Sequence, residues 1–207
     1  MSDKLKNKKV KLIGANHGIS GSDWRVSTSS ALESYGAEIL PSYIKPYIYT
    51  PREYPKTHEK LKSFKDTGYY QTISHVDHLS ILDQPWLATH MREARSYELN
   101  NIKNCDLVIG YIDPDIFTIG AIEELSCACL LKKPIFIVVA GGNSNIPFWL
   151  MGMLPHDCIL DSFKLLNKTL IDVNTGILSI NPDNYWDIRD YDQDYYDAIY
   201  EATNQKN

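Results

Sequence analysis

Two short and almost entirely apolar runs constrain the fold of this chain more than any other feature. They are DLVIGYI at 106–112 and PIFIVVA at 134–140, and a helical pattern lies between them. Strands without polar alternation are covered on both faces, which is typical of parallel sheets joined by helices. Three further runs, at 9–14, 37–40 and 157–160, bring the candidate strands to five. The sequence therefore predicts an α/β fold, a three-layer sandwich with a five-stranded mostly parallel sheet.

The remaining segments are assigned around these strands. Helices are expected at about 24–35, 87–104 and 120–131, with Gly36 stopping the first. An inserted segment at about 41–86 lacks periodicity, and we interpret it as a lid or an oligomer contact with a short helix near 57–64. Residues 161–207 form a C-terminal extension of the single domain, 1–207. Ligands of such sheets bind beyond the carboxyl ends of the strands, which here indicates loops 15–23, 113–119 and 141–153.

Charge argues against a nucleic-acid polymer as partner. The net charge is −5 and the isoelectric point about 5.7, whereas nucleic-acid binders usually carry a basic surface that neutralises phosphates. The one basic cluster consists of Lys4, Lys6, Lys8, Lys9 and Lys11. We interpret it as a solvated segment that leads into the first strand.

The apolar runs and the cysteines predict a cytoplasmic protein. No run approaches the roughly 20 apolar residues of a membrane helix, and MSDKLKNKK has no hydrophobic signal region. We therefore expect neither a membrane contact nor a signal peptide. The four cysteines match no disulfide or CxxC spacing, so we expect buried and reduced thiols.

Glu124 is the first unusual carboxylate. We place it in the first turn of a helix that looks buried, just beyond the third strand. There the helix dipole would keep it ionised, and a desolvated carboxylate suits attack on an anomeric carbon. The alternative is simple helix-end electrostatics. With Gly120 as N-cap, Glu123 would reach back to the cap amide and have a structural role.

Glu98 is the second unusual carboxylate. It continues an apolar stripe formed by Leu87, Met91 and Ala94, and stripe positions are normally buried. The structural alternatives are a stripe-edge residue or a salt bridge with Arg95 or Lys103. The functional alternative is a general acid or base that serves a polar ligand.

Several weaker candidates have both structural and functional interpretations. Asn16 and His17 lie in the first loop and could bind a ribose hydroxyl, and Trp24 could stack on a base or simply pack against the sheet. His75 and His78 have no evident third metal ligand, so we predict no metal site. The acidic, tyrosine-rich tail at 183–197 has near calcium-loop spacing without the required glycine. We interpret that tail as a surface helix at a subunit contact.

Taken in order, several of these segments resemble the nucleoside 2-deoxyribosyltransferase family. KVKLIGANHG, the following DWR and ALESYGAEILP are similar to that family's first strand, substrate loop, first helix and second strand. YELNNIKNCDLVIGYI, GAIEELSCACLLKKPIFIV and IPFWLMGMLPHDCIL are similar to its acidic helix, its nucleophile segment and its later substrate loop. The resemblance covers about residues 9–160 without 41–86, and it implies a flavodoxin-like fold.

The resemblance also implies roles for individual residues. Glu124 falls on the family's nucleophile, Glu98 on an aspartate that acts at the base, and Met151 on a loop position that reaches a neighbouring subunit's site. Thr118 stands near a position where the family often has an aspartate, with Asp113 further back. We assign Asn16, His17, Trp24, Asp113, Gly120 and Met151 to the substrate pocket.

The implied reaction transfers 2-deoxyribose between nucleobases through a covalent glutamyl intermediate with retention. It needs no cofactor, its partners are small deoxynucleosides and free bases, and the family implies a homo-oligomer. Two alternatives stay open. One is a deoxynucleoside 5′-monophosphate N-glycosidase that uses water, and the other is a non-catalytic nucleotide sensor on the same sheet edge.

Overall fold

The computed structural model describes residues 3–14, 21–42, 84–116 and 119–186. In chain order the strands and helices are β1 (Lys9–Gly14), α1 (Gly21–Ser34), β2 (Glu38–Leu40), α2 (Gln84–Asn104), β3 (Leu107–Ile112), α3 (Ile119–Leu130), β4 (Ile135–Val139), α4 (Phe148–Met151), β5 (Ile159–Leu160) and α5 (Phe163–Thr175). Short 3₁₀ turns lie at Gly142–Asn145, His156–Cys158 and Pro182–Asn184.

The strands form one sheet in the order β2-β1-β3-β4-β5, and every pair is parallel. This order is the flavodoxin-like one, with the chain reversing direction across the sheet between β1 and β3. The predicted fold class is confirmed, and the mostly parallel sheet is entirely parallel in the described residues. Because all strands run the same way, their carboxyl ends share one edge.

Alternating side chains on the central strands build two apolar layers. Ile13, Val108 and Ile137 face the layer that α2 and α3 complete with Ile102 and Leu125. Residues of opposite parity on the same strands face the second layer, which α1 and α5 complete. Both sheet faces are therefore covered, which explains why β3 and β4 read as continuous apolar runs.

Two glycines shape the start of the fold. Gly14 ends β1 with φ +128°, and a Cβ there would lie 2.1 Å from the carbonyl oxygen of Tyr111 on β3. Glycine alone allows the two strands to approach this closely. Gly36 adopts φ +78° two residues after α1 ends, so the predicted helix stop is confirmed.

Lys11 corrects our interpretation of the basic segment. Its side chain is 0% exposed, unlike those of its exposed neighbours Lys8 and Lys9. Position 11 faces the same side of β1 as Ile13, so its ammonium group lies under the helices rather than in solvent. The interpretation as a solvated lead-in is wrong for this residue.

Tyr185 corrects part of our interpretation of the tail. It is 2% exposed, and its hydroxyl accepts a hydrogen bond of 2.9 Å from the amide of Ile135 at the start of β4. This tyrosine therefore anchors the chain to its own core. The predictions for 57–64, His75, His78 and the tail beyond Trp186 lie outside the described residues.

The cysteines agree with the sequence prediction. All four are free thiols, with Cys105, Cys129 and Cys158 buried and Cys127 half-buried. Burial raises the pKa of Cys105 to about 11 and that of Cys129 to about 12, so both stay protonated at neutral pH. In the part of the chain that the structure describes, no helix is long and apolar enough to cross a bilayer.

Candidate active site

Glu124 lies on α3 with its residue only 8% exposed. Its Oε1 accepts a hydrogen bond of 3.0 Å from Nη1 of Arg95 on α2. α3 begins at Ile119, so Glu124 is in the second turn, and our placement in the first turn is wrong. Because the dipole acts mainly within the first turn, a neighbouring guanidinium supplies the counter-charge that we had expected from the helix end.

Arg95 connects α2 to the start of α3 through several contacts. Its Nε donates to Oε2 of Glu123 at 2.7 Å, and its Nη2 lies 2.6 Å from the same oxygen. Nη2 also donates to the carbonyl oxygen of Gly120 at 3.2 Å. Because α3 begins at Ile119, Gly120 is inside α3 rather than at its N-cap. Glu123 has its structural role through Arg95 rather than through a cap amide.

Glu98 forms an ion pair that the sequence did not predict. Its side chain is 12% exposed, and its Oε2 accepts a hydrogen bond from Nζ of Lys11 on β1. The structural alternative of a salt bridge has a different partner from the Arg95 or Lys103 that it named, and Arg95 is turned towards Glu123 and Glu124 on α3. The expectation of a mostly buried carboxylate on the stripe is confirmed.

The lysine of this pair has a second partner at the start of the inserted segment. Its Nζ donates to the carbonyl oxygen of Pro41 at 3.3 Å, and Nδ2 of Asn101 donates to the same oxygen at 2.8 Å. The end of β2, the C-terminal part of α2 and β1 thus meet around one buried ammonium group.

The electrostatics couple the two acids. Burial first, and then the negative charge of Glu98, raise the pKa of Glu124. The hydrogen bond from Arg95 and the charge of Lys11 act in the opposite direction. The net direction is upward, so the groups that favour the ionised form of Glu124 are the cations Arg95 and Lys11. Ionisation of Glu124 depends on the cations around it.

Arg25 is a further cation near both acids. Its Nη1 donates to the carbonyl oxygen of Leu12 at 2.8 Å, and its Nη2 to that of Gly14 at 3.1 Å, so it is fixed to the carboxyl end of β1. Burial lowers the pKa of Arg25, and the charges of Glu124 and Glu98 oppose that shift. The acids therefore lie within electrostatic reach of the sheet edge where ligands are expected.

Trp24 does not take the stacking role that we assigned to it. The residue is 4% exposed, and its ring packs at 5.9 Å from the rings of both Tyr111 and Phe163. Both contacts belong to the apolar layer under α1 and α5. The structural alternative, a helix anchor packed against the sheet, describes this residue.

The other assigned pocket residues have varied surroundings. Asp113 follows β3, and its Oδ1 accepts a hydrogen bond of 3.0 Å from the amide of Asp115, which closes a turn. Met151 ends α4 and is 47% exposed, next to Phe148, which is 89% exposed. Asn16 and His17 lie outside the described residues. The roles of these side chains in substrate binding stay predictions.

A cleft of about 530 Å³ lies at the opposite edge of the sheet. Its lining includes Leu5, Lys8, Asp106 and Pro134, which precede or begin β1, β3 and β4. Neither Glu98 nor Glu124 lines it, so this cleft is separate from the acids. Within the described ranges, no group of three metal-ligating side chains comes together.

Sequence reasoning missed the cations Lys11, Arg25 and Arg95. One signal was present for Lys11, because it alternates with apolar residues in KVKLIG and its position on the strand faces the core. For the two arginines no sequence signal distinguishes a site residue from a solvated charge. Their roles follow only from which elements the fold packs together.

Comparisons with known proteins add little. No family model and no curated protein matches the sequence. One solved structure that the chain resembles is a 2-deoxyribosyltransferase from the psychrotolerant bacterium Bacillus psychrosaccharolyticus. The two share 15% identity with a TM-score of 0.43, over 77% of this chain and 90% of the other. This likeness carries no argument about activity, and the fold assignment rests on the strand order.

Proposed function

We propose that this protein is a nucleoside 2-deoxyribosyltransferase, in which Glu124 is the nucleophile and Glu98 manages the proton of the nucleobase. The observation that carries the proposal is the pair of acids on α2 and α3. Glu124 is 8% exposed and held by Arg95, while Glu98 is close enough for its charge to raise the pKa of Glu124. Paired carboxylates with separate environments are what glycosidic-bond chemistry uses.

The proposed reaction has two displacements at C1′ of the sugar. A carboxylate oxygen of Glu124 forms a bond to C1′ while the bond from C1′ to the base nitrogen breaks, and its electron pair leaves with the base. Glu98 in its protonated form gives its proton to the departing base, and the carboxylate that results takes a proton from the incoming base. The second base then attacks C1′ and releases the carboxylate. Two inversions give overall retention, and no cofactor takes part.

The surroundings of the acids suit this chemistry. Lys11 is hydrogen-bonded to Glu98 and Arg95 to Glu124. A low dielectric strengthens the attraction between the Glu124 carboxylate and a developing oxocarbenium ion. In the proposal Asp113, Gly120 and Met151 line the substrate pocket together with Asn16 and His17. The homo-oligomer implied by the sequence resemblance stays part of the proposal, with Met151 near the neighbouring subunit.

A base-exchange assay tests the proposal. The protein is incubated with a deoxynucleoside and a different free base, and the products are separated by chromatography. We expect the exchanged nucleoside, and denaturing mass spectrometry should find one deoxyribosyl group on the peptide that contains Glu124. Glu124→Gln should abolish both signals, whereas the same substitution at the exposed Glu33 of α1 is the matched control. Normal exchange by Glu124→Gln would refute the assignment.

The same assay separates the alternatives. Free base and sugar phosphate from a deoxynucleoside 5′-monophosphate alone would indicate the N-glycosidase. Binding of a nucleotide without any product would indicate the sensor. Either result would replace the transferase proposal.

A further inference from the structure

The structure assigns a further residue to this site. We propose that Arg95 is the positioning residue of Glu124, holding its carboxylate through Nη1 while Glu123 and the carbonyl of Gly120 hold the guanidinium. The inference rests on the proposed function for the step that Glu124 performs. From the sequence, Arg95 had no predicted role in the site and was one of two alternative salt-bridge partners of Glu98.

All three nitrogens of the Arg95 guanidinium group have an acceptor within hydrogen-bond distance. Nη1 contacts Oε1 of Glu124 at 3.0 Å, while Nε and Nη2 lie 2.7 and 2.6 Å from Oε2 of Glu123. Nη2 also contacts the carbonyl oxygen of Gly120 at 3.2 Å. Because a guanidinium is planar and rigid, fixing two of its nitrogens fixes the direction of the third. Glu123 and Gly120 therefore determine where Glu124 is held.

Exposure supports a division of roles between the two glutamates. The side chain of Glu123 is 46% exposed and that of Glu124 is 11% exposed, with Arg95 at 26% between them. A pair at the solvent-exposed end contributes little stability by itself. The ion pair with Glu123 instead orients the guanidinium group, so that Nη1 contacts the mostly buried carboxylate of Glu124.

Gly120 leaves room for this arrangement. A Cβ at position 120 would lie 3.2 Å from Nη1 of Arg95, so any side chain would press on the nitrogen that holds Glu124. We predicted Gly120 as a pocket residue. The absence of a side chain at this position also leaves room for the guanidinium group of Arg95 beside α3.

The charged groups around Glu124 determine the direction of its titration. Glu98 on α2 raises its pKa in addition to burial, and Arg95 on α2 and Lys11 on β1 oppose this. Arg25 on α1 interacts electrostatically with Glu124, and Glu123 precedes Glu124 on α3. Arg95 is the cation that the structure shows in hydrogen-bond contact with Glu124. Its removal leaves burial and Glu98 less opposed, so the pKa of Glu124 rises further.

Arg95 should affect turnover through the ionisation of Glu124. The nucleophile works in its ionised form, which is lost as the pH falls through the pKa of Glu124. A higher pKa therefore moves the acidic limb of the kcat profile to higher pH. A role confined to stability would lower the amount of folded protein and leave this limb in place.

The test compares Arg95→Met and Arg95→Lys with Arg92→Met, an exposed arginine one turn earlier on α2. Base exchange is measured as kcat and KM across pH on protein shown to be folded by circular dichroism. We expect Arg95→Met to lose about ten- to one-hundredfold in kcat at the acidic end, the range of one charge-assisted hydrogen bond. Part of the loss should be recovered at high pH, with KM little changed. The kcat of Arg95→Lys should lie between those of Arg95→Met and the wild type, and the kcat of Arg92→Met should equal that of the wild type.

A second measurement separates this inference from the proposed function. The carboxyl carbon of Glu124, assigned by its loss in Glu124→Gln, is titrated by NMR in the wild type, in Arg95→Lys and in Arg95→Met. An upward shift of its pKa in the Arg95 variants supports the inference even if no base exchange is found. An unchanged pKa of Glu124 in folded Arg95→Lys overturns the inference, as does an unmoved acidic limb with active enzyme. If Arg95→Met does not fold, Arg95→Lys decides.

Discussion

Replacing Glu98 with glutamine removes one member of a buried ion pair and leaves the other without its counter-charge. Lys11 is 0% exposed, and after the substitution its ammonium group faces neutral acceptors, the new amide oxygen at position 98 and the carbonyl oxygen of Pro41 at 3.3 Å. Removing one partner of such a pair costs about 3–5 kcal/mol, because the remaining charge is desolvated. We expect Glu98→Gln to lower the free energy of unfolding by an amount in this range.

The converse substitution should cost less. Lys11→Met removes the fully buried charge, and the Glu98 carboxylate that remains is 12% exposed and can turn towards water. When both residues become neutral no unpaired charge is buried, and replacing a buried pair is often close to neutral in stability. We therefore expect Lys11→Met/Glu98→Gln to be more stable than Glu98→Gln alone.

The assay is urea unfolding of the wild type, both single variants and the double variant, followed by circular dichroism. The double-mutant cycle should give a coupling of about 2 kcal/mol or more, which exceeds the additivity error of distant sites. Additive single effects would refute the reasoning, since they would mean that the pair contributes nothing beyond its separate members.

The double variant also separates the structural role of Glu98 from its catalytic role. If Glu98 manages the proton of the base, the stable double variant should still exchange natural bases slowly. A substrate whose leaving group needs no proton should react at nearly the wild-type rate, because general acid catalysis is then dispensable. An equal loss of rate with both substrates would mean that Glu98 has a structural role in the ion pair and no role in proton transfer.

Two further substitutions test the fold around the site. Gly14→Ala should lower the free energy of unfolding by at least about 2 kcal/mol, because its Cβ would meet the carbonyl oxygen of Tyr111 at a positive φ. The control Gly152→Ala, whose Cβ would have its nearest atom 3.5 Å away, should change it by less than about 1 kcal/mol, and similar unfolding midpoints for both variants would contradict this. Tyr185→Phe should cost about 1–3 kcal/mol in the same unfolding assay, because the buried amide of Ile135 loses its 2.9 Å acceptor, and an unchanged midpoint would show that the tail anchor lies elsewhere.

Apolar patterning was sufficient for the strands and the parallel sheet, whereas the flavodoxin-like strand order came from the family resemblance. β1 occupies the predicted residues 9–14, and β3 and β4 differ from the prediction by one residue at their ends. The pattern succeeds because a strand covered on both faces needs apolar side chains at every position, and that requirement is local. The burial of Glu98 and Glu124 was also readable, since each interrupts an apolar stretch.

The partners of those acids were decided by the tertiary structure. Lys11 and Glu98 are 87 residues apart in sequence, and Arg95 and Glu124 are 29 apart. No local rule distinguishes Arg95 from the exposed Arg92 on the same helix. Alternation with apolar residues marks both Lys9 and Lys11 on β1, yet Lys9 is exposed and Lys11 is buried. Lys9 and Lys11 face the same side of β1, so the packing of α2 against β1 and α3, rather than the sequence pattern, selects one charge from each pair for burial. A sequence can indicate that a carboxylate is buried, but its counter-charge comes from whichever element the fold packs against it.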